Sequence, residues 1–213
     1  MILRTNIEIV TGFLGCGKTT FINALLDNTL VHNELVIVVQ CEEGQTFIDE
    51  KFRNKKEILI KKLGTSNIIS TNFIKEIIDV NKPHRIIIEH NGSKKLEGVL
   101  NIIHNKKLKY RCKVTDIFNI IDVSTFKVYI ENMGSLLLSG IENSDLIVLS
   151  NVNKLLASQI NEVVNLLKKY NYEAYILGVD NIKNISSVLM KENILFNGYL
   201  KEFNVLVKNF IKK

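Results

Sequence analysis

The chain has 213 residues, enough for one sizeable core with roughly 70% of its unfolded surface buried, and short of what two full domains need. Hydrophobic residues make up 46% and charged ones 23%, an ordinary globular balance, and no apolar run reaches the roughly 18 residues that cross a membrane. Net charge is +6, with lysine clusters at 51–56, 106–113 and the C-terminus; without an RNP-like aromatic patch or zinc-finger spacing these read as solvated faces, and a nucleic-acid partner is not expected.

The opening MILRTNIEIV leads directly into a strand pattern and carries no signal-peptide region. Strand-like apolar runs follow at 7–10, 35–40, 85–90, 116–123, 145–150 and 172–178, with a shorter one, EILIKK, at 57–62. They are β-branched and nearly continuous, as strands buried on both faces of a parallel sheet require. Helical patterns alternate with them: KTTFINALLDNTL after the first strand, TNFIKEIIDVN from Thr71 to a stop before Pro83, SKKLEGVLNIIHNKK, and LLASQINEVVNLLKKY at 155–170. Ser70 or Thr71 supplies a cap for the second of these. After Gly178 come short helical pieces and a mixed terminal element. The alternation predicts an α/β fold, an open and mostly parallel sheet with helices on both faces. Residues 1–213 form one domain, with about the last 30 as a terminal helical extension.

Between the first strand and the first helix stands GFLGCGKTT, matching G-x-x-x-x-G-K-[ST] with Gly12, Gly17, Lys18 and Thr19 in the fixed places. Glycines at 12, 15 and 17 let successive N–H groups turn towards a phosphate, and the helix that follows adds its own unpaired donors. Gly12, Leu14, Gly15, Cys16, Gly17, Lys18, Thr19 and Thr20 are thus the expected phosphate cradle of a nucleoside triphosphate. Lys18 is placed to reach the β- and γ-phosphates, and the Thr19 hydroxyl to ligate Mg²⁺. Further acidic groups are expected at neighbouring strand ends. Glu42 follows the second strand, and Glu89 ends the strand before Gly92, whose N–H is placed to sense the γ-phosphate.

These motifs resemble the nucleotide-binding domain of the CobW, UreG and HypB family, GTPases that help deliver metal or cofactor to client enzymes. TGFLGCGKTTFIN at 11–23 is similar nearly residue for residue to the phosphate loop of CobW-like members. CEEGQTFID places Glu42, Gly44 and Asp49 on the family's switch stretch, and Glu89–Gly92 matches its Glu-x-x-Gly. NIIDVSTF at 119–126 resembles the Asp-bearing strand end that follows. The resemblance implies a P-loop NTPase fold of SIMIBI type. It also implies Lys18, Glu89, Gly92 and Asp49 in catalysis, and Thr19, Glu42, Asp49 and Glu89 around Mg²⁺.

Three departures qualify it. Where the family reads guanine with Asn-Lys-x-Asp, this chain has Ser150-Asn151-Val152-Asn153, so Asn151 and Asn153 face the base. An amide at 153 serves only one of guanine's two N–H groups, which costs roughly 1–3 kcal/mol; GTP is the family's nucleotide, and ATP or another base stays open. The CobW-like Cys-x-Cys-Cys stretch is missing, and the three cysteines, Cys16, Cys41 and Cys112, form no CxxC pair, which suits a reducing cytoplasm and predicts no tightly held zinc. Cys16 and Cys41 follow adjacent strand ends and His90 follows a third, and this cluster is the alternative, half of a site shared by two copies. The chain also ends about one helix beyond the resemblance, so its output is read by a client enzyme or by a second copy in a homodimer. A nucleotide-dependent switch, a small-molecule kinase or ligase, and a non-catalytic nucleotide-binding module all fit this loop; Asp122 and Asp49 are the candidate bases of the second.

Overall fold

Among the described residues seven strands run in chain order as β1 (Thr5–Thr11), β2 (Val36–Gln40), β3 (Ile58–Lys62), β4 (Arg85–Glu89), β5 (Cys112–Asp122), β6 (Leu146–Ser150) and β7 (Tyr175–Val179). All are parallel and form one sheet in the order β3-β2-β4-β1-β5-β6-β7. The structure is a computed structural model that describes residues 4–42, 44–63, 69–193 and 198–211. Every residue of β2, β4 and β6 is buried, which is why their sequences are continuous rather than alternating.

The helices are α1 (Lys18–Thr29), α2 (Glu50–Arg53), α3 (Thr71–Asn81), α4 (Leu96–Ile103), α5 (Val123–Glu142), α6 (Ala157–Tyr170), α7 (Ile185–Glu192) and α8 (Gly198–Ile211). On one face α1 and α7 cover a core that includes Phe21, Leu25, Val38, Ile87, Phe118 and Val148. On the other, α3 and α4 pack over Ile7, Ile9, Ile37 and Ile88, while α5 and α6 pack over Ile121, Ile147 and Leu149. The open parallel sheet with helices on both faces is thus the predicted architecture. Ser70 caps α3, its hydroxyl accepting from the Phe73 N–H at 3.2 Å, and the helix ends at Lys82 in a left-handed conformation just before Pro83.

Differences from the sequence reading concentrate after Asp122. The strand predicted at 116–123 starts earlier, at Cys112, and ends at Asp122, because the Asp122 carboxylate accepts from the Ser124 N–H at 2.9 Å and starts a helix. The 20-residue α5 that follows has no counterpart in the predicted elements. Its backbone leaves the helical region at Met133 (φ −134°), so no single apolar period runs through it. The terminal element is helical over Gly198–Ile211; residues 194–197 lie outside the described ones.

At the N-terminal edge of the sheet, Arg85 is buried among carboxylates. Its guanidinium lies 3.2 Å from Glu8 and 3.1 Å from Glu34, and donates to the Thr29 hydroxyl at 2.8 Å. Lys201 of α8 reaches the same cluster, donating to the Thr29 carbonyl at 2.5 Å and lying 3.3 Å from Glu34. Removing one partner of a buried ion pair leaves charge without compensation. Arg85→Met is therefore expected to lower the urea unfolding free energy by about 3–5 kcal/mol. A loss below about 1 kcal/mol would mean that Glu8 and Glu34 do not depend on this cation.

Candidate functional site

The loop between β1 and α1 turns on glycines with left-handed or related backbone, Gly12 at φ 138° and Gly17 at φ 104°. Side chains there meet immediate obstacles: a Cβ on Gly12 would lie 2.3 Å from the Ile120 carbonyl oxygen, and one on Gly17 would lie 2.6 Å from Ile182. Gly17 is also the cap residue of α1, and having no side chain it leaves the helix's first N–H groups without a cap hydrogen bond from it. The first turn contains no acidic residue. These orphan donors and the positive end of the helix dipole give a site that favours an anion. Gly15 and Leu14 are exposed, while Cys16, Lys18 and Thr19 are buried and Thr20 is partly so.

Lys18 is 4% exposed, and its ammonium donates to the carbonyls of Gly12 at 2.8 Å and Phe13 at 2.9 Å. It also pairs with the Glu42 carboxylate. Glu42 thus contacts the lysine of the loop. Thr19 and Glu89 meet directly: the hydroxyl donates to Glu89 Oε1 at 2.5 Å, and Gln40 Nε2 donates to Glu89 Oε2 at 2.7 Å. Sheet register explains this convergence, since Glu89 pairs with Gln40 on β2 and Val10 on β1. Gly92 packs on the loop so tightly that a Cβ would lie 2.3 Å from the Gly12 carbonyl oxygen. Asp49 lies one turn further down α1, where Asn23 donates to its carboxylate at 3.0 Å and accepts from its N–H at 3.0 Å.

The stretch after β6 is a short helical turn, Val152–Lys154, with Asn151 left-handed at φ 61°. The Asn151 amide donates to the Asp122 carboxylate at 2.7 Å, so it is held beside the end of β5. Asn153 is exposed on that turn. Gln40, Asn23 and the Asp122–Asn151 pair went unmarked in the sequence reading. Gln40 carried a legible signal, as a polar residue closing an apolar strand next to the loop.

The thiols do not come together. Cys16 belongs to the core under α1, and Cys41 packs against the core under α3 and α4, on the opposite face. Burial pushes Cys16 up to about 11 and Cys41 up to about 12, so both remain protonated near neutrality. His90 accepts from or donates to Thr11 Oγ1 at 3.1 Å, and burial pushes it down to about 4, so its imidazole is neutral. Among the described residues no three His, Cys, Asp or Glu side chains gather as a metal-holding group, and no helix is long and apolar enough to cross a membrane.

A phosphate placed on Lys18 would compete with the Glu42 carboxylate for one cation. Glu42→Gln is expected to tighten nucleoside diphosphate binding roughly fivefold or more, the equivalent of about 1 kcal/mol, because the ion pair no longer has to break. Weaker magnesium-dependent binding in the same calorimetric titration would instead assign Glu42 to the metal.

No match is found among curated proteins. Solved structures are similar in fold. The Zn(II)-bound YjiA GTPase from E. coli gives a TM-score of 0.61 at 17% identity, covering 83% of this chain and 57% of that one. The hydrogenase maturation factor HypB from Archaeoglobus fulgidus gives 0.57 at 14%, covering 91% of each chain. HypB from Helicobacter pylori in complex with nickel gives 0.51 at 14%, covering 88% and 86%. The chain thus spans little more than half the length of YjiA and nearly all of the HypB chains. The family model for the CobW/HypB/UreG nucleotide-binding domain matches residues 6–177, most of the chain, and the protein belongs to that family.

Proposed function

We propose that the protein is a nucleoside-triphosphate-binding switch with slow, magnesium-dependent hydrolysis, acting as a GTPase-like accessory in metal or cofactor delivery to a client enzyme. The observation that carries this reading is the contact of Thr19 with Glu89 beside Lys18 and an uncapped helix start. A hydroxyl and a carboxylate are hard oxygen donors, the set that suits Mg²⁺, and both are buried where the loop ends. Mg²⁺ bound there would neutralise charge on the β- and γ-phosphates. Lys18 and the N–H groups of residues 12–20 hold the phosphates, Gln40 fixes the orientation of Glu89, and Gly92 reads the γ-phosphate through its contact with Gly12. Asp49 sets the position of the switch stretch through Asn23. The homodimer and the client belong to the same proposal: ordering of residues 41–49 and 90–98 on nucleotide binding is the signal that they would read.

Lys18→Ala is expected to weaken triphosphate binding by roughly a hundredfold or more, since at least two charge-assisted hydrogen bonds are lost. Glu89→Ala should reduce magnesium-dependent turnover far more than magnesium-free diphosphate binding. Calorimetry and a phosphate-release assay on the parent and both variants test this together. Full binding in Lys18→Ala, or equal losses in both assays for Glu89→Ala, would overturn it.

Base selection follows from Asn153. A carboxylate accepts from both guanine N–H groups, whereas an amide accepts from one and presents NH₂ to the other. Guanine preference is therefore expected to be weak, the lost contact costing roughly 5- to 150-fold in affinity. Competition among GDP, ADP and XDP, on the parent and on Asn153→Asp, measures this. Strong guanine preference unchanged by the substitution would show that Asn153 does not read the base.

A further inference from the structure

The open edge of the sheet at β3 is bordered by cations without a carboxylate to pair with. Residues 51–62, KFRNKKEILIKK, hold six basic residues and one acid, Glu57. Lys51 pairs with Asp27 at 2.6 Å, and Arg53 lies 3.6 Å from Glu50. Lys55, Lys56, Lys61 and Lys62 are exposed and have no carboxylate partner among the described residues. The first two stand on the turn that enters β3, where the Ile58 N–H donates to the Lys55 carbonyl at 3.1 Å. The last two close the strand. A strand's length separates the pairs, since five residues rise about 16 Å.

Strand β3 is the last on its side of the sheet and pairs with β2 alone among the described strands. Residues of a parallel strand alternate in the side to which their N–H and C=O point. The Val36 N–H donates to the Glu57 carbonyl and the Leu63 N–H to the Gln40 carbonyl, each at 2.8 Å. Odd-numbered positions therefore face β2. Ile60 and Lys62 direct their N–H and C=O to the open side, where no further strand stands among the described residues. Such a row of groups is a template for another extended chain. Ile58 and Ile60 pack on the α1 side and Leu59 on the α3 side, so Lys62 and Lys61 flank the edge from opposite faces. The Phe47 ring, 58% exposed, lies beside it, with the Lys62 ammonium 5.3 Å from its centroid.

The lysines decide what can pair here. A second copy would set the same cations against one another, and like charges across a strand pair are destabilising. A nucleic acid would satisfy the ammonium groups but has no amide ladder to complete the edge. An extended peptide with acidic residues towards both ends meets the backbone groups and the cations together. We propose that the β3 edge docks an acidic, extended segment of a partner protein, which adds to the sheet beside β3. None of the groups involved belongs to the phosphate loop or to the metal donors, so the inference does not rest on the nucleotide reading.

The probe is a peptide blocked at both ends, Glu-Asp-Val-Thr-Val-Asp-Glu, titrated at low salt and without nucleotide into the ¹⁵N-labelled 213-residue chain. It should bind saturably by calorimetry, shift the Ile60 and Lys62 backbone amide resonances and slow their hydrogen exchange. Lys61→Glu with Lys62→Glu, both on exposed side chains, should weaken it at least roughly tenfold. Lys106→Glu with Lys107→Glu, the same charge change in another exposed cluster, should cost roughly twofold or less. Methylating alternate peptide nitrogens keeps the charge and, in the register that faces β3, removes hydrogen bonds. One of the two such peptides should therefore lose roughly tenfold. Oligothymidylate of equal charge should bind at least roughly tenfold more weakly than the peptide. Absence of saturation, unmoved Ile60 and Lys62 resonances, equal losses in the two lysine pairs, or full binding of both methylated peptides overturns the proposal. Oligothymidylate binding as tightly as the peptide overturns it in favour of nucleic acid. The measurements on the parent stand whatever the folding of the variants, and none of them involves the phosphate loop.

Discussion

Helix α1 is pinned to β4 at both ends, and the geometry of the phosphate loop depends on that pairing. At the top Thr19 meets Glu89, and at the bottom Thr29 meets Arg85. The lengths match: four strand steps rise about 13 Å and ten helical steps about 15 Å. Side-chain parity does the rest. Arg85, Ile87 and Glu89 point to the α1 face, while Ile86 and Ile88 enter the core under α3 and α4. A slip of one residue in β4 would turn both charged ends away from α1 and drive them into an apolar core.

The lower pin is held by charge balance. Arg85 alone could not be buried, nor could Glu8 and Glu34; together with Lys201 they form a cluster of two cations and two carboxylates. Such a cluster contributes little net stability compared with an apolar core, but it is intolerant of alternatives. It therefore fixes where β1, β4, α1 and α8 lie relative to one another. The terminal helix joins the nucleotide side of the molecule through this route, since Lys201 donates to the last residue of the helix that begins at Lys18.

Much of this was legible in the sequence, for physical reasons that can be named. Strands β2, β4 and β6 read correctly because burial on both faces forces an uninterrupted apolar run. The glycine turn between β1 and α1 was legible because backbone with positive φ and close approach to Ile120 and Ile182 demand glycine. Helix α5 did not read, because the break at Met133 and the small residues after it erase the helical period. Glu42 was assigned to magnesium from its place after β2, and its contact with Lys18 depends on the path of the loop, which no spacing encodes.

Under the proposed function, Lys18 is the residue at which these parts would couple to a nucleotide. A buried ammonium needs compensation, and here two carbonyls and the Glu42 carboxylate provide it. A triphosphate brings more negative charge to the same atom, so both cannot be held at full strength. Displacing Glu42 acts on a stretch tethered at both sides: Cys41 N–H donates to the Glu89 carbonyl at 3.1 Å, and Asp49 is held by Asn23. Both tethers belong to the rigid unit of α1 and β4. Under that proposal, loss of the ion pair would act on the residues between these tethers rather than on the sheet. A partner that reads these residues would bind one nucleotide state more tightly than the other, and the difference cannot exceed what the exchange of carboxylate for phosphate on Lys18 supplies.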